Sequence, residues 1–204
     1  MTHGAPSAIV VLIGPPGAGK SSIGAVLAAQ LGVPFSDTDD LVATAAGKPV
    51  GDIFVEDGEA VFRELERAAV ARGLEGFGTG GGVLALGSGA VLDADVRRLI
   101  ERSPADPRGG TPLSGGTTPE PPGPPRTPRV VVYLEAGFGA VAKRTGFDKP
   151  RVVIPGNPRG RLRAMLEERR PVYESLAALT VPTDDLTPEE VAADLVKQLG
   201  AEDS

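Results

Sequence analysis

Residues 14–21 read Gly14-Pro15-Pro16-Gly17-Ala18-Gly19-Lys20-Ser21 and match the pattern G-x-x-x-x-G-K-[ST] in full. An apolar run lies before them at 8–13, and a helix-forming segment follows at 22–31. In this strand–loop–helix context the pattern forms a phosphate-binding loop; the structural alternative is a Gly-rich turn that merely joins two elements. Backbone N–H groups and the helix N-terminus then face the phosphates. The residues expected to contact a nucleotide here are Gly14, Gly17, Ala18, Gly19, Lys20, Ser21 and Ser22.

Two side chains of this loop carry chemistry of their own. Lys20 is placed to reach the β- and γ-phosphates, and the Ser21 hydroxyl is placed to ligate Mg²⁺. The loop therefore predicts MgATP or a similar nucleotide as a ligand, with Lys20 as a catalytic residue.

Length and composition narrow the class of protein. The chain has 204 residues with no visible repeat, which predicts a single domain over 1–204. The net charge of −6 disfavours a general nucleic-acid surface and favours small-molecule substrates. No run is long enough for a membrane span and no secretory leader is visible, so we expect a cytoplasmic protein. Without cysteine, and with His3 as its one histidine, the chain must use other residues for catalysis.

Short apolar segments alternate with helical patterns along the chain. We predict an α/β protein with three layers, α/β/α, of the P-loop kinase type with a five-stranded parallel sheet. Strands are expected near 8–13, 33–36, 74–79, 129–134 and 179–182. A helix is expected around 59–73, with an apolar stripe formed by Val61, Phe62, Leu65, Ala68 and Ala69. The last helix should begin at Thr187-Pro188-Glu189-Glu190, which has the form of a capping box, and stop near Gly200.

The segment 104–128 departs from this alternation. It holds nine of the twenty prolines and five glycines, with almost no apolar side chains. Such a composition does not bury enough surface to offset the entropy of ordering, so we expect a disordered Pro/Gly-rich insert within the domain. A proline-rich ligand for another protein is the alternative function of this segment.

Two carboxylates follow the second predicted strand. In a parallel sheet the ligand lies beyond the carboxyl ends of the strands, so Asp37 and Asp39 should flank the phosphate site. One carboxylate suits Mg²⁺, and the other suits an attacking hydroxyl that must be oriented for in-line transfer. Aspartate is also common at helix starts, so helix capping is an equally weighted alternative for this pair.

Three further segments have the composition of an anion site. Arg63 has an acidic partner three residues on, Glu66, although such a pair often marks a solvated helix face. The run Gly80-Gly81-Gly82 is expected after the third strand, where glycine lets a ligand approach the backbone, or it forms a tight turn. Residues 143–170 carry nine basic side chains against three acidic ones, around a flap-like loop at 145–158.

Taken in order, these segments resemble one family, shikimate kinase, over nearly the whole chain apart from 104–128 and the two ends. The resemblance rests on the loop at 14–21, Asp37-Thr38-Asp39, Asp52-Ile53-Phe54, Phe62-Arg63, the glycine run, and Arg169-Arg170-Pro171-Val172-Tyr173. In the flap this chain has Lys149-Pro150-Arg151, whereas the family usually shows Arg-Pro-Leu-Leu.

The resemblance implies specific roles. Asp39 would bind the hydroxyl that is phosphorylated, and Arg63 with Arg169 would hold the shikimate carboxylate. Asp37 would support Mg²⁺ beside Ser21, and Arg144 with the catalytic Arg151 would close over ATP, with Pro188 near adenine. The remaining substrate contacts implied are Phe54, Phe62, Gly80, Gly81 and Gly82.

The expected activity is transfer of the γ-phosphoryl group of ATP to the 3-hydroxyl of shikimate, with Mg²⁺, on the route to aromatic amino acids. The expected binding partners are shikimate and ATP alone, with no nucleic acid and no membrane. The chain is expected to be a monomer. The alternatives are another small-molecule kinase, such as one for gluconate, and an inactive nucleotide-binding regulatory protein.

Overall fold

The computed structural model describes residues 8–101, 127–146 and 157–201. Its strands are β1 Ile9–Ile13, β2 Phe35–Asp37, β3 Gly82–Ala85, β4 Arg129–Glu135 and β5 Leu179–Pro182. Its helices are α1 Lys20–Leu31, α2 Thr38–Ala46, α3 Val50–Glu56, α4 Glu59–Gly76, α5 Ala94–Glu101, α6 Phe138–Arg144, α7 Pro158–Leu176 and α8 Pro188–Ala201. A short 3₁₀ helix spans Ala90–Leu92.

The five strands form one sheet in the order β2-β3-β1-β4-β5, and every neighbouring pair is parallel. The central strand β1 is buried on both faces, as its continuous apolar sequence predicts. Val10 and Leu12 belong to the core cluster that includes α1 and α8, whereas Ile9, Val11 and Ile13 belong to the cluster that includes α4 and α5. Helices therefore cover both faces of the sheet, and the three-layer α/β/α prediction is confirmed.

A smaller core joins α2, α3 and α4 beside the sheet. Val42, Ile53, Phe62 and Ala69 are its buried members, each at most 4% exposed. Because Phe62 is anchored in this cluster, the adjacent Arg63 is held at the edge of the helical layer.

The third predicted strand is wrong. Residues 74–76 end helix α4, and the strand comes later, at Gly82–Ala85. The apolar face of α4 continues through Val70 and Leu74, which are four residues apart and both buried, so helical packing extends past residue 73. The buried face also differs from the predicted stripe, since Val61 and Ala68 are exposed while Glu66 is buried.

The last helix begins as its sequence predicts. The Glu190 carboxylate accepts the Thr187 N–H at 2.8 Å, and the Glu190 N–H is donated to Thr187 Oγ1 at 3.3 Å, which is a reciprocal capping box. The helix continues to Ala201, one residue past Gly200. Of the predicted insert, residues 104–126 lie outside the described residues. None of the described helices combines the length and the apolar character that a membrane span needs.

Candidate active site

The phosphate-binding loop lies between β1 and α1, as the motif predicts. Gly19 is the residue before α1 and has φ 92°, a conformation that favours glycine. Lys20 starts the helix, and its ammonium group donates to the carbonyls of Gly14 and Pro15, each at 3.0 Å. The lysine is thus folded back over its own loop, where phosphate groups would bind.

Ser21 and Asp37 meet at the carboxyl edge of the sheet. The Ser21 hydroxyl donates to Asp37 Oδ2 at 2.6 Å, although the residues are 16 apart in sequence. The other carboxylate oxygen of Asp37 accepts the backbone N–H of Asp39 at 2.9 Å and caps α2. Asp37 is therefore a helix cap, and it also lies beside the phosphate loop.

Lys20 and Asp39 line one cleft of about 340 Å³, together with Gly17, Asp37 and Ser88. Burial lowers the pKa of Lys20 to about 8, and the carboxylates of Asp39 and Asp37 oppose that decrease. Desolvation in the cleft raises the pKa of Asp39, and the nearby Asp37 raises it further, while Lys20 lowers it. The cleft therefore contains the Lys20 ammonium group, which suits a phosphate ligand, and the Asp39 carboxylate, whose proton affinity is increased.

The glycine run at 80–82 is not at this cleft. Gly82 begins β3 and pairs with Ile9 at the start of β1, whereas the phosphate loop follows Ile13 at the other end of β1. Because the strands are parallel, Gly80, Gly81 and Gly82 lie at the opposite end of the sheet from the phosphate loop. The prediction that they contact the acceptor is therefore wrong. The misplaced third strand is the cause of this error.

The loop that does reach the cleft is Gly87-Ser88-Gly89, just after β3. A Cβ at residue 87 would lie 2.8 Å from both Asp39 Oδ1 and Glu66 Oε1, and one at residue 89 would lie 3.0 Å from Arg63 Nη1. Charged groups therefore approach the backbone closely at both glycines, while Ser88 between them lines the cleft. The sequence signal for this loop was the apolar run 83–86 that precedes it, a stronger strand pattern than 74–79.

Arg63 lies against this loop with the predicted acidic partner. Its guanidinium donates to Glu66 at 2.7 Å and to Glu59 at 3.2 Å, and the Glu66 side chain is 3% exposed. Burial lowers the pKa of Arg63, but the hydrogen bonds and charges of Glu66 and Glu59 together outweigh burial, so the pKa is raised. Burial raises the pKa of Glu66, and Arg63 opposes that shift. The pair is a partly buried ion pair with a buried carboxylate, rather than a solvated helix face.

Arg169 comes to the same loop from a different helix, α7. Its guanidinium lies 3.5 Å from the Ser88 carbonyl oxygen, which also accepts the Tyr173 hydroxyl at 2.6 Å. Sequence reasoning placed Arg169 in the site but gave no role to Ser88, Tyr173 or Thr38. Thr38 is fully buried and its hydroxyl accepts the Gly87 N–H at 2.8 Å.

The two predicted phenylalanines are in contact beside Arg63. The ring centroids of Phe54 and Phe62 are 4.2 Å apart, and the Arg63 guanidinium carbon lies 5.4 Å from the Phe62 centroid. Phe62 is buried, whereas Phe54 is 41% exposed. The pair therefore forms an apolar surface with one accessible ring.

On the nucleotide side, Arg144 ends α6 and contacts the phosphate loop. Its guanidinium donates to the Gly17 carbonyl at 3.2 Å and to the Thr183 carbonyl at 2.5 Å. Pro188 is the first residue of α8. The flap prediction that includes Arg151 lies outside the described residues.

The donor set beside the loop suits magnesium. Ser21 and Asp37 supply hydroxyl and carboxylate oxygens, which Mg²⁺ prefers, and such sites complete the coordination with phosphates and water. Within the described ranges no group of three or more His, Cys, Asp or Glu side chains is arranged to hold a metal ion. One hydroxyl and one carboxylate beside a phosphate loop are the usual protein share of a Mg–nucleotide site.

The fold and the cleft together define a class, the P-loop kinases that phosphorylate small molecules. The "Shikimate kinase" family model matches residues 16–200. A shikimate kinase of Thermobifida fusca is 47% identical over 193 residues, covering 95% of each chain, and one of Streptomyces coelicolor is 41% identical over 90% of each. The solved shikimate kinase of Acinetobacter baumannii, in complex with shikimate, superposes with a TM-score of 0.74 at 25% identity, covering 96% of this chain and 94% of that one.

This chain belongs to the shikimate kinase family. It catalyses the ATP-dependent phosphorylation of shikimate, with Mg²⁺, in aromatic amino-acid biosynthesis. The gluconate-type and inactive alternatives are not favoured.

Proposed function

We propose that the cleft between Lys20 and Asp39 is where the γ-phosphoryl group passes from ATP to the 3-hydroxyl of shikimate. The observation that carries this proposal is that a phosphate-loop lysine and a carboxylate of raised pKa line the same cleft. Catalysis of phosphoryl transfer depends on positioning of the reactants and stabilisation of charge, rather than on covalent chemistry by the protein. Both requirements are met by side chains of α1 and α2, the helices that follow β1 and β2 at the same end of the sheet.

The phosphate loop holds the triphosphate. Backbone N–H groups and the start of α1 face the anion, while the Lys20 ammonium exchanges its carbonyl contacts for phosphate oxygens. The remaining nucleotide contacts proposed are Arg144, whose guanidinium already touches Gly17, Pro188 on the adenine side, and Arg151. The loop residues assigned to this task are Gly14, Gly17, Ala18, Gly19, Lys20, Ser21 and Ser22.

Ser21 and Asp37 hold Mg²⁺ on the nucleotide. Bound Mg²⁺ neutralises charge on the phosphate oxygens during transfer. The Ser21 hydroxyl and the Asp37 carboxylate are already oriented toward one another at 2.6 Å, so little rearrangement is needed to ligate the ion directly or through water.

Arg63 and Arg169 bind the shikimate carboxylate from two sides of the loop at 87–89. Guanidinium groups suit carboxylates because their N–H donors match the two oxygens. Phe54 and Phe62 form the apolar wall on the Arg63 side. Gly87, Ser88 and Gly89 take the place that was first assigned to Gly80, Gly81 and Gly82, since they follow the carboxyl end of β3.

Asp39 orients the attacking hydroxyl and accepts its proton. Its raised pKa brings it closer to the working pH and makes it a better general base than an ordinary aspartate. The carboxylate approaches the loop at Gly87 and shares the cleft with Lys20, so a hydroxyl bound to it would lie near the γ-phosphate.

The experiment that tests this assignment compares Asp39→Asn with Asp40→Asn, which removes an equal charge from the next residue of the same helix. Shikimate-dependent release of ADP should fall by about 10²–10⁴-fold in Asp39→Asn. ATP binding should persist in both variants, and Asp40→Asn should keep its turnover. Equal losses in the two variants would mean that local charge, and not the Asp39 carboxylate, drives the reaction.

The assignments also support proposals about the whole molecule. The chain acts in one domain, because its described strands form a single sheet, and we propose that it acts as a monomer. It works in the cytoplasm, where ATP and Mg²⁺ are supplied, and needs neither nucleic acid nor a membrane. The acidic composition supports small-molecule substrates over nucleic acid.

A further inference from the structure

The Ser88 carbonyl oxygen is shared by two side chains of helix α7. The Tyr173 hydroxyl donates to it at 2.6 Å, and the Arg169 guanidinium lies 3.5 Å away, at the outer limit of a hydrogen bond. Residues 169 and 173 are four apart and so share one face of the helix. One acceptor atom in the loop at 87–89 therefore has one strong donor and one weak donor.

Tyr173 is held rigidly under the loop. The residue is 1% exposed, and its ring stacks on Tyr133 of β4 with centroids 5.2 Å apart. Burial raises the pKa of Tyr173 to about 12, and the charge of the nearby Arg169 and its hydrogen bond to the tyrosine oppose that increase. The hydroxyl therefore keeps its proton and remains a donor at neutral pH. Thr38 holds the other side of the loop through the Gly87 N–H. The loop is thus fixed between two buried hydroxyl groups.

We propose that Tyr173 is a positioning residue for the acceptor site: its hydroxyl satisfies the Ser88 carbonyl, so the Arg169 guanidinium keeps only a weak contact with that carbonyl and can bind the acceptor carboxylate. The inference rests on the proposed role of Arg169 in carboxylate binding. Tyr173 itself need not touch the substrate.

The physical reason is competition for one guanidinium. A partly buried carbonyl that loses its donor costs free energy until another donor replaces it. Without the Tyr173 hydroxyl, Arg169 is the nearest replacement and would move the short distance from 3.5 Å to full hydrogen-bond contact. The acceptor carboxylate would then have to displace that bond before it could bind, which weakens acceptor binding without affecting ATP.

The test uses the full-length enzyme and two matched variants. Tyr173→Phe removes the hydroxyl that contacts Ser88, and Tyr133→Phe removes a hydroxyl from the other ring of the same stacked pair. We expect the shikimate KM of Tyr173→Phe to rise about tenfold, the effect of about one hydrogen bond. Its kcat and its ATP KM should stay near wild type, and Tyr133→Phe should leave all three constants unchanged.

A purely structural role would give a different pattern. If Tyr173 only stabilised the fold, both tyrosine variants would lower the melting temperature with no selective change in shikimate KM. That result, or an equal rise in the KM values for shikimate and ATP, would overturn the proposal.

A double-mutant cycle separates this inference from the proposed function. If Tyr173 acts through Arg169, adding Tyr173→Phe to Arg169→Ala should cause little further change in shikimate KM. Additive effects would overturn the inference and leave the role of Arg169 intact. If Arg169→Ala alone left the shikimate KM unchanged, the proposed carboxylate contact would itself be wrong.

Discussion

The phosphate side and the acceptor side of the cleft are built in different ways. The phosphate side is a contiguous segment, residues 14–22, whose backbone and first helical turn form the binding surface. The proposed acceptor side is assembled from α2, α4, the loop after β3 and α7, and it includes the partly buried ion pair Arg63–Glu66. A binding surface made of backbone depends on local sequence, whereas one made of distant side chains depends on packing.

This difference predicts how each side responds to substitution. On the phosphate side, a single side chain carries the charge while the backbone carries the shape. On the acceptor side, each charged group also holds a neighbour in place, so one replacement disturbs several contacts.

Apart from Asp39→Asn, the largest effect is expected from Lys20→Ala. This substitution removes the side-chain charge nearest the γ-phosphate, and loss of one preorganised stabiliser of the transferring group lowers kcat by about 10²–10³-fold. The fold should survive, because the loop glycines and α1 remain. Steady-state ADP release with a melting curve measures both, and near-normal turnover would show that the loop does not serve this reaction.

Arg63→Ala should come next, with Arg67→Ala as its control. Arg67 lies on the same helix but pairs with Asp93 at 2.8 Å instead of Glu66. We expect shikimate kcat/KM to fall roughly 10–100-fold in Arg63→Ala, since a charged hydrogen bond contributes about 1.5–3 kcal/mol. The ATP KM should change little. Similar losses in both arginine variants would point to a general defect of α4.

Gly87→Ala distinguishes the two glycine segments. The added methyl group would press on the oxygens of Asp39 and Glu66, whereas in Gly80→Ala it would meet only the Phe77 carbonyl, at an ordinary 3.8 Å. Overpacking of about 1–3 kcal/mol should lower shikimate kcat/KM about tenfold or more in Gly87→Ala. Kinetics of both variants check this, and a loss confined to Gly80→Ala would restore the acceptor role of 80–82.

Asp37→Asn should have a smaller, metal-dependent effect. The amide is a weaker Mg²⁺ ligand than the carboxylate, so the Mg²⁺ concentration needed for half-maximal rate should rise roughly tenfold. Excess Mg²⁺ should recover much of the rate in Asp37→Asn but not in Asp39→Asn. Titrating Mg²⁺ at saturating shikimate tests both, and the reverse pattern would exchange the roles of the two carboxylates.

The smallest effect is a proton taken up with the nucleotide. The free enzyme's Lys20 has a pKa of about 8, so below that pH the lysine is charged and above it the charge is progressively lost. Bound phosphates favour the charged form of Lys20, so the enzyme should take up less than one proton per MgATP bound near pH 8.5. For the same reason, ATP affinity should weaken as pH rises through about 8. Titration calorimetry in buffers of different ionisation enthalpy measures the uptake. Lys20→Ala should abolish it, and an unchanged uptake would assign the proton to another group.

The sequence predicted the acceptor side only in part. It named Asp39, Arg63 and Arg169, which the structure brings to the loop at 87–89, and the Arg63–Glu66 pair is confirmed at 2.7 Å. It placed the glycine run 80–82 at the wrong end of the sheet. Because β3 was expected at 74–79, residues 80–82 were expected to follow that strand, whereas they lie at its start. Thr38 and Tyr173 drew no prediction, since their partners are 49 and 85 residues away.

What the sequence determined by itself is the part of this enzyme that local geometry governs: the phosphate loop, its lysine and serine, the apolar central strand and the capping box of α8. Each depends on residues within one turn or one strand, so spacing alone specifies it. Only the tertiary structure decided that Glu66 is buried, that the loop at 87–89 faces the cleft, and that Asp37 both caps α2 and binds Ser21. These features arise where separate elements pack together, and burial changes the energy of a charge or a hydroxyl in ways that its position in the chain does not record.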